Sequence, residues 1–566
     1  MTPSRLLSKL DATQLVWAGL LALLLLLVAF PIAEVVLISL QHVNGTPPGL
    51  TLDSYTEAFS RTRYVRGFWN SALLGAGVAT FCLILTAPMA WAVARTDMPG
   101  KRLVRAMVML TFITPPFLGA TSWVLLSSPN AGWLNRLYVA ATGAASGPLN
   151  IYSLTGLVFV IAIYSIPYTF VFTTAALELV SSEIEDAANI LGAGRFVTTV
   201  RITLPLVAPA LFGAWIITYL EAISIIGSTV IIALPAHINL VPLQLLEFFG
   251  FPLRVEAAAA YAMPLLLVTI ALFLLQQHVL RRRGYVALSG KGGERRPIEL
   301  GAGRWPMLGW SLFVTSLTVT LPYVVLLQAA FAKAWARGFS LDNLTLSNFY
   351  RLLFEQATLR QSILNTFSYA TAAASLAVAL ALATAYVVIR GLTPLGSVLS
   401  VLCLAPFAIP GIVLAIGFYA AYAPPPLSLA GTSAILVLAF TSRFLPIAFA
   451  NASAAMRGLN PEMEDAVRIL GGGRMRVLRA VVLPLLKRNI VAVWLLVFIA
   501  ASREVSSALF LYGPRTRTMS VMFFDLTEGA EFEQLAALGL IMAFTTMLFV
   551  AVGQRITGRD FMLRSN

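Results

Sequence analysis

The stretch EDAANILGAGR, Glu185 to Arg195, lies between two long apolar runs, and EDAVRILGGGR, Glu464 to Arg474, lies between two others. Aligned without a gap from Glu185 to Pro205 and from Glu464 to Pro484, the two share 10 of 21 residues, where chance pairing gives roughly one. A short polar segment written twice, 279 residues apart, marks an internal duplication, and its period organises the rest of the chain.

The solvent of this chain is lipid. Of 566 residues, 58% are hydrophobic and 11% charged, with a mean hydropathy of +0.84; a soluble domain carries about a quarter charged residues. The net charge of +14 reports orientation rather than nucleic acid, because basic residues of membrane proteins gather on the cytoplasmic side. Cys82 and Cys403 fall inside apolar runs and read as small core residues. The N-terminal apolar run is too long for a signal-peptide core and reads as a retained first span.

Spanning the hydrocarbon takes about 20 apolar residues in a helix. Twelve segments qualify, at 14–40, 68–95, 104–126, 152–180, 206–232, 255–280, 306–332, 363–390, 395–422, 432–457, 487–511 and 534–556. With both termini inside, fifteen basic residues of the first half are cytoplasmic: Arg5, Lys9, Arg95, Lys101, Arg102, Arg105, Arg195, Arg201, Arg281 to Arg283, Lys291, Arg295, Arg296 and Arg304. Five (Arg61, Arg63, Arg66, Arg136 and Arg254) are then outside. Both motif copies lie in the cytoplasm in this arrangement.

The duplication extends along the chain. TLDSYTEAF from Thr51 resembles TLSNFYRLL from Thr345; Asn70 answers Asn365, AWAVAR ending at Arg95 answers AYVVIR ending at Arg390, and Pro115 answers Pro410, at an offset of 295. Pro167 and Pro446, then Pro235 and Pro514, correspond at 279. The outer loop between Ser127 and Asn150 absorbs the difference. The expected architecture is an all-α membrane protein of two parallel six-helix repeats, residues 1–280 and 305–566, joined by a cytoplasmic linker at 281–304. The linker's GYVALSGKGG is not a phosphate loop, since Gly follows the Lys and no strand precedes it.

Each motif copy opens with helix start signals: Ser182 with Glu185 in a capping-box pattern, and Asn460 followed by Pro461. Acidic residues crowd the first turn, where the helix dipole favours them. Gly192 and Gly471 stop the helix two turns later. The small residues Ala187, Ala188 and Ala466 allow close approach of another surface. Two such helices at equivalent positions point to a repeated docking site.

The pattern acidic-Ala-Ala, three residues, Gly, then Leu-Pro resembles the EAA loop of ABC importer permeases. The resemblance covers nearly the whole chain and is nearest to the fused double permeases of ferric-iron import, through TLDSYTEAF, the linker and SREVSSALFLYGP from Ser502. It implies a type I permease fold in a bacterial inner membrane and a short coupling helix seated on an ATPase subunit. Asp186, Ala187, Ala188 and Gly192 match in the first copy, and Asp465, Ala466 and Gly471 in the second. Asp stands where the family has Glu, with Glu185 and Glu464 just before it, and Val467 replaces the second Ala. The implied partners are two copies of a cytoplasmic ATPase carrying ATP and Mg, and an external substrate-binding protein. This chain holds no Walker motif and is read as a transporter subunit, not an enzyme.

Charges within spans are costly and need a reason. Glu221 lies in the fifth apolar segment, Arg443 in the tenth, and Arg503 with Glu504 in the eleventh. Either an arginine pairs with Glu504 to lock helices, or these residues line the pathway; the two roles can coexist. His42, His237 and His278 share no face with a carboxylate pair, so no metal site is read. Tyr164 and Tyr168, one turn apart, read as aromatic packing. Ferric iron is the cargo the resemblance implies; thiamine, 2-aminoethylphosphonate and polyamines are carried by related permeases. A secondary transporter is the competing class, opposed by the paired motif, and no catalytic pair supports an intramembrane enzyme.

Overall fold

The computed structural model describes residues 12–42, 49–282 and 297–557. Among them the regular structure is helical, with isolated β-bridges as the only extended pairing. The first half crosses the membrane as Gln14–Ser39, Thr62–Arg95, the pair Lys101–Ile113 with Pro116–Ser127, Leu154–Glu178, Thr199–Ser224 and Val255–Val279. The second crosses as Gly301–Ala330, Ala357–Ile389, the pair Gly396–Phe407 with Gly411–Tyr422, Ser433–Arg457, Arg474–Ser502 and Phe532–Gly553. Among the described residues ten single helices are long and apolar enough to cross, twelve spans when each bent pair is counted as one, and the twelve expected segments fall on them in two sets of six.

Two features differ from straight spans. The third and ninth are bent by 100° and 112°. Each bend falls at the matched prolines: Thr114 and Pro115 are extended with ψ 122° and 138°, and Pro410 has ψ 138°, because proline disfavours helix at and before its own position. The fifth and eleventh spans end early, at Ser224 and Ser502, and short helices Gly227–Ile232 and Ser506–Leu511 follow. No proline stands at those breaks. Side chains support the freed backbone instead: Ser520 Oγ donates to the Glu504 carbonyl at 2.8 Å, and Thr229 Oγ1 donates to the Ile225 carbonyl.

Four spans contain a π-turn followed, after one residue, by a proline: Leu25–Ala29, Thr199–Thr203, Ser316–Thr320 and Leu478–Val482. Proline cannot donate to the helix ladder, so the preceding turn widens. Widening releases carbonyls, and in the first span of each half the other half takes them. Tyr422 donates to Leu26 O; Trp123 and Tyr164 donate to Leu317 O and Thr318 O at 3.3 and 3.2 Å. The first span thus packs against Gly411–Tyr422, where Gly417 leaves room for the Pro31 carbonyl. The seventh packs against Pro116–Ser127, with Thr111 and Thr318 hydroxyls 2.7 Å apart. The halves interlock through their first spans, each of which also packs on its own half, against Val255–Arg282 or Phe532–Thr557.

Within each half the same bonds recur. Trp215 donates to Thr80 Oγ at 3.1 Å and Trp494 to Ser375 Oγ at 3.0 Å. Asn70 donates to Asn239 O, and Asn365 to Arg515 O and Arg517 O, each tying the second span of its half to the segment after the short helix that follows the fifth or eleventh span. Cys82 and Cys403 are buried and unpaired. Much of the linker, including Arg283, Lys291, Arg295 and Arg296, lies outside the described residues, as do Arg5 and Lys9. Its far end is placed: Ile298 pairs with Thr96, its N–H donating to Arg95 O at 2.8 Å.

Candidate functional sites

The first motif helix is Ser182–Ile190 and the second Glu462–Ile469. In the first, Ser181 Oγ accepts the Glu183 N–H at 3.2 Å; the Ser182 side chain lies outside the described residues. In the second, Asn460 Oδ1 accepts the Glu462 N–H at 3.1 Å. Both helices end on a left-handed glycine, Gly192 at φ +85° and Gly471 at φ +79°. The following N–H groups close the last turn, Ala193 on Ala188 O and Gly472 on Val467 O, both at 2.9 Å. A Cβ at either glycine would meet nothing within 4 Å, so the backbone angle and not space requires glycine there.

Glu185 turns toward the chain's own body. Its carboxylate is buried, ion-paired with Arg95 and accepting Thr203 Oγ at 2.7 Å. Arg95 also donates to Val180 O at 2.8 Å. The second copy repeats the arrangement: Arg390 Nε donates to the buried Glu464 at 2.7 Å, and Tyr386 OH reaches the other oxygen at 3.4 Å. Each motif helix is therefore stapled to the end of the second span of its half. Glu185 and Glu464 face inward. Asp186 and Asp465 face out, with Ala187 and Ala466 also exposed. Ala188 is buried, and its counterpart Val467 packs beside Tyr386, Met456 and Val477. That position fills a gap in the chain's own body, which accounts for the Ala-to-Val departure.

The most exposed apolar residues here are Ile190 and Leu191, at 86% and 87%, and Ile469 and Leu470, at 85% and 84%. Sequence reasoning passed over them, although Ile-Leu before the glycine is identical in the two copies. It also passed over Arg95 and Arg390 as partners, although both repeats of the second span end in Arg.

The four intramembrane charges converge at the seam between halves. Arg443 pairs with Glu504 at 3.0 Å, and Gly411 leaves the space its guanidinium occupies. The other Glu504 oxygen accepts the Ser507 N–H at 2.9 Å, satisfying the start of Ser506–Leu511. Arg503 crosses to the first half. It donates to Phe112 O and, at 3.0 Å, to Tyr168 OH, with its guanidinium 4.4 Å from the Phe112 ring centroid. Glu221 stands within electrostatic range of Arg503, Arg443 and Tyr168, and its buried Oε2 has no hydrogen-bond partner. Tyr164 and Tyr168 thus hold polar contacts across the halves as well as packing. Among the described residues no group of three or more His, Cys, Asp or Glu could hold a metal ion.

The family model described as a binding-protein-dependent transport system inner membrane component matches this chain twice, at residues 83–285 and 377–559. A Haemophilus influenzae protein named "Putative ferric transport system permease protein FbpB 1" is 25% identical over 525 residues, covering 91% of this chain and 81% of that protein. The ferric transport system permease protein FbpB of Actinobacillus pleuropneumoniae is 26% identical over 459 residues, covering 80% of this chain and 65% of its own length. The spermidine/putrescine transport system permease PotC of H. influenzae is 26% identical over 258 residues, covering 44% of this chain and 95% of its own. Among solved structures, a bacterial ABC transporter involved in import of the acidic polysaccharide alginate aligns at TM-score 0.42 and 17% identity, over 49% of this chain and 99% of that one. With the family's domain present in both halves, this chain belongs to the inner membrane components of binding-protein-dependent transport systems, as a fused double permease.

Proposed function

We propose that this chain is the complete membrane pathway of an ATP-driven importer, with one ATPase subunit seated on each motif helix. One observation carries the reading: a capped helix occurs twice, stapled by a buried ion pair, with an outward acid and a bare Ile-Leu pair at its tip. Exposed Leu and Ile in water call for a cover, and Asp186 and Asp465 offer it charge. Glu185 and Glu464 contribute by positioning the helix rather than by touching the partner. Both motif helices and both termini are cytoplasmic in this reading, in a bacterial inner membrane. Closure of an ATPase pair draws the two helices together and rocks the halves about the seam where Arg503 and Arg443 sit.

The proposed cargo is ferric iron, delivered by an external binding protein. The relatives named for ferric transport cover 91% and 80% of this chain, against 44% for the polyamine permease. The chain is reconstituted in nanodiscs with its co-expressed ATPase and binding protein, and ATP hydrolysis is measured as the binding protein is loaded with ferric iron, thiamine, 2-aminoethylphosphonate or spermidine. Stimulation by the ferric form alone supports both parts of the reading. Stimulation by another form replaces the cargo, and failure of any ATPase to associate removes the importer assignment. Replacing Ile190, Leu191, Ile469 and Leu470 with Ser abolishes the association if these residues form the contact.

A further inference from the structure

The two motif regions share a backbone but not a charge. From Arg457 to Arg488 the second copy holds seven basic and three acidic residues; the equivalent stretch, Glu178 to Pro209, holds two basic and four acidic. At an offset of 279, Arg457, Arg476, Arg479, Lys487 and Arg488 stand where the first half has Glu178, Val197, Val200, Ala208 and Pro209. All five cations are exposed, and none makes an ion pair among the described residues.

Arg476 through Arg488 lie on the helix that starts at Arg474 and becomes the eleventh span. Its inward residues Val477, Val482 and Leu486 pack with Tyr386 and Met456. Its outer surface sets the cations among exposed Met475, Leu483 and Leu485. The helix Arg474–Ser502 has 29 residues against the roughly 20 that cross the hydrocarbon, so its first turns stand at the headgroups, the long side chains of Lys487 and Arg488 reach back to them, and the outward apolar side chains meet lipid tails. Two identical ATPases would require the same surface twice, and the unshared charge does not supply it; this step rests on the function proposed above. We infer that Arg476, Arg479, Lys487 and Arg488 form a contact surface for anionic phospholipid headgroups of the leaflet on the motif side. The attraction acts within a Debye length of the charged surface.

The test uses the full chain in detergent with equal phosphatidylglycerol and phosphatidylcholine, bound lipid being counted by native mass spectrometry. Each cation near an anionic surface is worth about fivefold in binding. The combined Arg476→Gln, Arg479→Gln, Lys487→Gln, Arg488→Gln variant should therefore lose more than about tenfold in phosphatidylglycerol retention, with phosphatidylcholine unchanged. A companion variant with the three arginines changed to Lys keeps the charge and should keep the lipid, which separates charge from folding. Equal retention by wild type and the Gln variant overturns the inference. So does loss of a co-purifying ATPase from the Gln variant with lipid retention intact, which would assign the stripe to that subunit. Co-elution of ATPase with the wild type is read separately; its absence removes the importer assignment and leaves the lipid comparison valid.

Discussion

Replacing Glu185 with Ala should release the first motif helix while leaving the spans beneath it in place. The side chains of Arg95 and Glu185 are 4% and 6% exposed, so water does not compensate either charge. Removing the carboxylate leaves Arg95 with the Val180 carbonyl alone and Thr203 without its acceptor. Breaking a buried pair by deleting one partner costs about 3–5 kcal/mol. A helix of nine residues does not persist alone in water, so the loss appears as local opening, by about two to four orders of magnitude. In the second copy Arg390 is 13% exposed and Tyr386 shares the load, so Glu464→Ala should cost less, about 1.5–3 kcal/mol. The assay is backbone hydrogen exchange of peptides covering 182–193 and 462–472 in nanodiscs, alongside ATPase co-elution. Arg95→Met combined with Glu185→Leu should restore protection, since an apolar pair of similar volume replaces a buried ion pair at little cost. Unchanged exchange in Glu185→Ala, or equal damage from the paired replacement, would refute the staple.

Gly192→Val and Gly471→Val should each uncouple ATP hydrolysis from uptake, because a β-branched residue at φ near +80° is strained by about 1–3 kcal/mol even with open space around it; Asn at either position should be tolerated, and uptake per ATP checks both. Glu504→Lys should abolish assembly or transport, since it sets two cations together and strips the acceptor from the Ser507 N–H; normal uptake and expression would place the residue outside the seam. Gly411→Ala should shift the Arg443 guanidinium off Glu504 and lower thermal stability by about 1–3 kcal/mol, read as the melting temperature of the purified chain.

What the sequence made legible follows from where the physics acts. The twelve spans were readable because lipid thickness sets their length, and the repeat because both copies keep the same local signals. Gly192 and Gly471 end a helix by a rule confined to a few residues, so their role needed no tertiary knowledge. The staple was harder. Arg95 lies 90 residues from Glu185 and Arg390 lies 74 from Glu464, and a capping box was the nearer local explanation for Glu185. The breaks after Ser224 and Ser502 carry no proline, and the second takes its donor, Ser520, from another element. Arg503 finds Phe112 at 391 positions away and Tyr168 at 335, a pairing that only the interlocking of the halves creates.

In the first half the staple and the seam touch the two ends of one element. Thr203, which holds Glu185, sits in the π-turn at the start of Thr199–Ser224, and Glu221 sits in that span's last turn. In the second half the motif helix leads directly into Arg474–Ser502, and Arg503 and Glu504 follow its last residue. A helix of 26 residues is about 39 Å long, the thickness of the membrane. A displacement of the motif helix reaches the charge cluster along this rod, entering it through Thr203 in the first half and through the turn 470–473 in the second. The π-turn before Pro205 or Pro484 opens the backbone ladder on that rod, and in the first half Pro209 opens it again one turn on, so tilting concentrates there. On the proposed function, ATPase closure would act on Asp186 and Asp465, pass through the buried ion pairs, pivot at the π-turns and pull Arg503 from Tyr168 and Phe112. Coupling of this kind demands an element with two discrete arrangements. The bond set of Arg503 is one such arrangement, with the second half locked to the first.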